Sequence, residues 1–451
     1  MSSSLRFPKN FIFGVATSAY QIEGATSEGG RTDSIWDTFC RVPGKTHSGH
    51  TGDIACDHYH RYAEDVQTIA DLGVSSYRFS IAWPRIFPEK GKFNAEGMDF
   101  YKRLVDELEK RQLKPAVTMY HWDLPEWLGQ MGGWLNRDVS KYFGEYAETL
   151  LHHLGVQVDT WITHNEPWCA SFLSYGIGEH APGHTDWREA LTAAHHLLLS
   201  HGEALQAYRA SGLDGNIGIT LNLGAVYPAS SSPEDVAAAR TADGFTNRWF
   251  LDPLFRAQYP EDMLEKFEAR VGRVDFIRDG DLQHISAPMD FLGVNYYTRS
   301  VVKADVTSEF LGVGYVPSSP DSQTDMGWEV HPESLYRLLK RVASEYTDIP
   351  LYVTENGAAY ADVLEDDGQI HDTARIAYVE GHLAAAERFI EDGGDLRGYY
   401  LWSLMDNFEW AYGYSKRFGI VYVDYDTQKR VLKDSAKWYR ELATKHRTQL
   451  V

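Results

Sequence analysis

Thr160-Trp-Ile-Thr-His-Asn-Glu-Pro167 and Leu351-Tyr-Val-Thr-Glu-Asn-Gly357 share one form: a short β-rich run that finishes on a carboxylate, Glu166 in the first and Glu355 in the second. Working outward, the same kind of run recurs at Phe11 to Tyr20, Ser76 to Trp83, Pro115 to His121, Asn216 to Leu223, Phe291 to Tyr297 and Gly398 to Leu404. With Thr160 to Asn165 and Leu351 to Glu355 the total is eight. Between them lie segments with apolar residues at helical spacing, among them Tyr59 to Leu72, Met98 to Leu113, Leu191 to Tyr208, Ser334 to Val342 and Ala374 to Ile390. Eight strands alternating with helices predict an α/β protein built as a single (β/α)8 TIM barrel with long rim loops. The run ends support this, falling at or near Gln21, Arg78, His121, Asn165-Glu166, Asn295 with Tyr297, Glu355 and Trp402. Polar groups of this kind are costly deep in a core without partners, whereas on the C-terminal rim of a parallel barrel they converge on a ligand. The connections after the first run and around Lys303 to Val330 are then rim loops that shape a pocket.

Length alone leaves the domain count open, because 451 residues fit several average domains or one barrel with insertions. No low-complexity tract or linker divides the chain, and the polar stretch Ser230 to Asp235 is too short for one, so residues 1–451 are expected to form one domain. Hydrophobic residues at 43% and charged residues at 24% mark an ordinary globular protein. Sixty-four acidic against 43 basic residues give a net charge of -21, which repels phosphate backbones and anionic membranes, so no nucleic-acid or membrane partner is expected. The first residues, Met-Ser-Ser-Ser-Leu-Arg-Phe-Pro-Lys-Asn, lack the apolar core of a secretory signal, and no later run approaches a membrane span. The three cysteines, Cys40, Cys56 and Cys169, show no metal-ligand spacing and suit a reducing compartment, so a cytoplasmic location is expected. Thirteen Trp and 27 Tyr supply flat faces on which sugar rings stack, although a large aromatic core accounts for the same count.

Two carboxylates on opposing strands of one barrel can flank a glycosidic bond, one protonating the leaving oxygen while the other attacks or activates water. At this point the chain resembles glycoside hydrolase family 1, the β-glucosidase family. Asn165-Glu166-Pro167 and Thr354-Glu355-Asn356-Gly357 are similar to its acid/base and nucleophile motifs, and Phe11-Ile-Phe-Gly-Val-Ala-Thr-Ser-Ala-Tyr-Gln-Ile-Glu-Gly24 to its N-terminal signature. Tyr77-Arg-Phe-Ser-Ile-Ala-Trp83 resembles its second strand and Trp402-Ser-Leu-Met-Asp-Asn-Phe-Glu-Trp410 its eighth. The resemblance covers nearly the whole chain, in order. It implies a retaining double displacement with Glu355 as nucleophile and Glu166 as acid, then base.

The other roles are likewise carried by the resemblance. Arg78 and Tyr297 contact the nucleophile and favour its ionised form, although Arg78 also fits a structural ion pair. Gln21 and Glu409 hold the distal 4-hydroxyl, with Glu409 reaching the 6-hydroxyl as well; His121 and Trp410 serve the 3-hydroxyl, and Asn165 the 2-hydroxyl. Trp402 forms the sugar platform, followed by a nonproline cis peptide, and Asn295 supports the groups near Glu355. Glu409 marks an unphosphorylated sugar, since a carboxylate repels phosphate at close range; Phe418, close after Lys416, lacks the phosphate-binding hydroxyl. Retention of Glu166 separates the chain from the thioglucosidase branch. Trp168, Cys169, Leu173, His180, Asn222 and Trp328 match positions lining the leaving-group channel, and core roles for Cys169 and Leu173 fit nearly as well.

Two rivals come from other classes. A metal-dependent barrel hydrolase is suggested by 18 histidines and by His58-x-His60, but that pair falls in a helical stretch, where residues two apart point to different faces. A noncatalytic sugar-binding barrel needs no carboxylate pair. No phosphate loop or dinucleotide fingerprint occurs, and no cofactor or metal is implied. The natural substrate, leaving-group preference and oligomeric state are not legible in the residues.

Overall fold

The computed structural model describes residues 5–308 and 311–448. The termini of the domain expected over 1–451, and Met1 to Ser4 of the N-terminal reading, lie outside them. Eight parallel strands close into a barrel: β1 Ile12–Ala16, β2 Ser76–Ser80, β3 Lys114–Tyr120, β4 Thr160–Asn165, β5 Asn216–Asn222, β6 Phe291–Asn295, β7 Leu351–Asn356 and β8 Leu396–Trp402. Each pairs with its sequence neighbours, and β8 closes onto β1 with Ile12 opposite Gly398 and Ala16 opposite Trp402. All eight expected runs are barrel strands.

The first two stop well short of the apolar pattern. β1 ends at Ala16, and Ala19–Ile22 is a helical turn that carries Gln21. β2 ends at Ser80, and Trp83–Ile86 is helical, with a proline in its first turn where the missing N–H costs nothing. β8 ends at Trp402, whose bond to Ser403 is cis as the resemblance implies.

The expected helices lie between the strands at His58–Asp71, Ala95–Lys110, Trp187–Ser211, Pro332–Glu345 and Thr373–Glu391, joined by others such as Val139–Leu154 and Asp434–Thr448. Ala95–Lys110 shows why such segments coil: Met98, Tyr101, Leu104, Val105 and Leu108 fall on one buried face. The barrel wall is continuous with one large apolar core. Much of the aromatic content belongs to it, since Trp36, Trp83, Trp134, Trp161 and Trp249 are fully buried. Rim loops add a three-stranded sheet of Ala225–Pro228, Arg299–Ala304 and Val313–Tyr315. Among the described residues no helix is long and apolar enough to cross a membrane.

Candidate active site

The strand ends put the expected residues on one rim. Arg78 lies in β2, His121 follows β3, Asn165 ends β4 with Glu166 next, Asn222 ends β5, Asn295 ends β6 with Tyr297 two residues on, Glu355 lies at the end of β7 and Trp402 ends β8. A cavity of about 460 Å³ is lined by His121, Asn165, Glu166, Asn295, Tyr297, Glu355, Trp402, Glu409 and Trp410, with Trp168, Cys169, Leu173, His180, Asn222 and Trp328. Gln21 and Arg78 stand behind this lining, both fully buried. A larger surface hollow of about 660 Å³, between Val139–Leu154 and Trp187–Ser211, shares no residue with it and holds none of the strand-end groups.

Arg78 organises the floor. Its Nη1 donates to Glu355 Oε1 at 2.7 Å and to the Thr354 carbonyl at 2.8 Å, and its Nη2 donates to Asn165 Oδ1 at 2.7 Å. A guanidinium can only donate, so the Asn165 atom it meets is the oxygen. Asn295 must then turn Nδ2 toward that oxygen, at 3.0 Å, and the same Nδ2 donates to Glu166 Oε1 at 2.7 Å. Thr354 Oγ1 fixes the other end of this amide by donating to Asn295 Oδ1 at 2.8 Å. Asn165 Nδ2 donates to His121 Nε2 at 3.1 Å, which puts the imidazole proton on Nδ1. Burial holds His121 neutral, well below its ordinary range.

Glu355 also accepts from Tyr297 Oη at 2.7 Å and is the register partner of Asn295 on β6. The two carboxylates thus sit in different surroundings. Burial raises both, and the Glu355 charge raises Glu166 further, to about 7. For Glu355 that rise is opposed by the Arg78 charge and the Tyr297 hydroxyl. Glu166 is therefore the member that carries a proton near neutral pH, beside an ionised partner. Glu409, partly buried and facing the other two acids, is raised to about 8 by burial first and then by their charges. Gln21 Nε2 stands behind it at 3.4 Å and also donates to Asn407 Oδ1 and the Phe408 carbonyl.

Local backbone shape matters at three rim residues. Glu166, Trp122 and Trp410 all have left-handed φ values, 48°, 81° and 50°, which are costly for residues with a Cβ and cluster at functional sites. Gly357 is required for a different reason: a Cβ there would lie 1.7 Å from the Trp402 carbonyl oxygen. His121 is stacked between Trp402 and Trp410, at 5.9 and 6.0 Å. Toward the mouth, half-buried Trp168 meets Phe245 edge-on at 5.4 Å, and Trp328 packs on Tyr297 at 5.3 Å. Lys416 donates to Asp325, and Phe418 packs against both Tyr297 and Trp328.

Two lining residues acquire roles that sequence reasoning did not find. Trp122 donates from Nε1 to the Asn165 carbonyl at 2.9 Å and packs on Trp410; its place directly after His121, just past the β3 end, was the available signal. Cys169, expected as a channel or core residue, brings Sγ within 3.1 Å of Glu166 Oε2. The histidines of the metal reading go elsewhere. His58 is buried against Asp65, and His60 is exposed between Asp57 and Glu28. Among the described residues, no cluster of three or more His, Cys, Asp or Glu has metal-holding geometry.

Residues 3–448 match the family model described as Glycosyl hydrolase family 1. The chain is 49% identical over 445 residues to Beta-glucosidase A of Acetivibrio thermocellus, covering 98% of each chain. It is 47% identical to the bifunctional beta-D-glucosidase/beta-D-fucosidase of Bifidobacterium breve, again over 98% of each. The crystal structure of the GH1 beta-glucosidase from Exiguobacterium antarcticum superposes with a TM-score of 0.96 at 54% identity, covering 98% of this chain and 99% of that one.

Proposed function

The chain belongs to glycosyl hydrolase family 1, and from that premise we propose that it is a retaining β-glucosidase whose one catalytic domain spans residues 1–451. It removes terminal nonreducing β-D-glucosyl residues from cellobiose, short cello-oligosaccharides and aryl β-glucosides, with side activity on β-galactosides and β-fucosides. The observation that carries this reading is the pair Glu166 and Glu355 at the ends of β4 and β7, in one cavity, with Asn295 bonded to the first and in register with the second.

In the first step a Glu355 oxygen bonds to the anomeric carbon as the glycosidic C–O bond breaks, and the Glu166 proton passes to the leaving oxygen. The ester that forms removes the negative charge of Glu355, which makes Glu166 easier to deprotonate. Glu166 then takes a proton from water as that water attacks the same carbon, and the Glu355 ester bond breaks. Asn165 engages the 2-hydroxyl, where contacts strengthen as positive charge develops in the transition state. His121 and Trp410 serve the 3-hydroxyl, Gln21 and Glu409 the 4-hydroxyl and Glu409 the 6-hydroxyl, over the Trp402 face.

Trp168, Leu173 and Trp328 form the leaving-group side, where Trp168 and Leu173 narrow the channel and keep glucose inhibition weak. Cellobiose as natural substrate gives the enzyme a part in cellulose degradation. The three cysteines, unpaired and buried, support a cytoplasmic setting. The test is proton NMR of the first product from p-nitrophenyl β-D-glucoside, on the wild type and on Glu355→Gly with azide. Initial β-anomer from the former and α-glucosyl azide from the latter are expected; initial α-anomer would overturn the mechanism, and no hydrolysis of any β-glycoside the function.

A further inference from the structure

The two oxygens of Glu166 are not equivalent. Oε1 accepts from Asn295 Nδ2, and that amide cannot be reversed without turning its oxygen onto Asn165 Oδ1, which Arg78 holds as an acceptor. The acid's proton therefore belongs on Oε2. Oε2 faces Cys169, three residues on, at the start of the helical segment Cys169–Ile177. Sγ lies 3.1 Å away, and the buried thiol lines the same cavity.

A thiol is a weak donor and a weak acceptor, which suits an oxygen that must change state twice in each turnover. When Glu166 is ionised, the S–H donates to Oε2. When Oε2 carries the proton and points it at the leaving oxygen, little is lost by releasing the thiol. An alkyl side chain would leave the ionised oxygen without this partner, while a hydroxyl is the stronger donor and would favour the carboxylate.

On the functional reading above, we propose that Cys169 is a positioning residue for the acid/base carboxyl, holding Glu166 Oε2 in line with the leaving-group oxygen through both protonation states. The other charged or titratable groups around it are Glu355 from β7, Arg78 from β2, Tyr297 after β6, Glu409 after β8 and, beyond the thiol, Glu179. His121 and His180, across the cavity, are held neutral by burial. Burial and the neighbouring carboxylates push the Cys169 thiol well above its ordinary range, so it remains a donor at neutral pH.

Cys169→Ala and Cys169→Ser, in the full chain, separate positioning from a packing role. The readout is kcat/KM against pH for cellobiose, whose leaving group needs the proton, and for 2,4-dinitrophenyl β-glucoside, whose leaving group does not. In Cys169→Ala the loss on cellobiose is expected to exceed the loss on the dinitrophenyl substrate by about tenfold, a fraction of what full acid catalysis supplies. Its alkaline limb moves to higher pH, and in Cys169→Ser the limb returns to the wild-type position or below it. Equal losses on both substrates, with one alkaline limb common to all three proteins, would overturn the proposal and leave the β-glucosidase reading standing. A wild type inactive on both substrates would instead remove the reading on which it rests.

Discussion

At the inner end of the cavity each polar side chain is held by another, so that Arg78, Asn165, Asn295, Thr354 and Glu355 form a closed set of bonds across β2, β4, β6 and β7. At the mouth, Trp168 and Trp328 make ring contacts from connecting segments, and Leu173 is half-buried beside them. The inner end is fixed by directional bonds in a low-dielectric setting, where removing one partner leaves others unsatisfied. The mouth is fixed by apolar surface, which yields gradually and locally. Chemistry that tolerates little displacement sits in the first region, and discrimination among leaving groups in the second.

Arg78→Met should expose this contrast most sharply. It strands Glu355 in a buried position without its counter-charge, and breaking a buried pair of this kind costs about 3–5 kcal/mol. Calorimetry should show a lowered Tm, with kcat/KM on p-nitrophenyl β-glucoside falling by more than about 100-fold. A variant with wild-type Tm and turnover would show that the inner set is not interdependent.

The next effect is on pH. Glu166 is raised to about 7, while Glu409 and Asp123 reach about 8; for all three, burial is the leading cause. A carboxyl raised on folding contributes stability that is complete below its unfolded value, about 4.3 for Glu and 3.9 for Asp. That contribution is lost as pH rises through the folded value. Buried histidines such as His121 and His180, held below their ordinary range, add stability as pH rises toward about 6.5 and oppose this loss. The effect is therefore read as a difference: between pH 5 and 8 the wild-type Tm should fall by a few degrees relative to that of Glu166→Gln. A wild-type Tm that climbs relative to Glu166→Gln across this interval would contradict the direction assigned to Glu166.

The smallest effect belongs to the mouth. In a Trp168→Ala, Leu173→Ala double variant, glucose should inhibit more tightly by about three- to tenfold, with Tm lowered less than in Arg78→Met because both side chains are only partly buried. Unchanged inhibition would remove these two side chains from control of the channel.

The inner end was largely legible in the sequence because most of its residues lie at or near the end of a β-rich run, and a polar group in that place has few roles besides facing a ligand. Thr160 to Asn165 matches its strand residue for residue. What escaped depends on backbone turns beyond the runs. Trp122 reads as another core aromatic until its left-handed φ and its bond to the Asn165 carbonyl are seen. Cys169 meets Glu166 through a left-handed residue followed by a helical segment, a path that spacing does not encode. Asp123, buried with neither carboxylate oxygen bonded to a described group, follows directly on Trp122 and carried no signal of its own. At the mouth the lining residues and the loop length were legible but the shape was not, since it depends on how Lys416 and Asp325 tie two connections together.

The indoles around the inner end also give the molecule an optical character. Trp410 lies 4.6 Å from both Trp36 and Trp122, inclined at 46° and 41°, while Trp402 faces it across His121. Chromophores this close share excitation, and those lining the cavity emit according to the polarity of what fills it. Occupancy by a colourless sugar is thereby written into the protein's own fluorescence and near-ultraviolet dichroism, with no label attached.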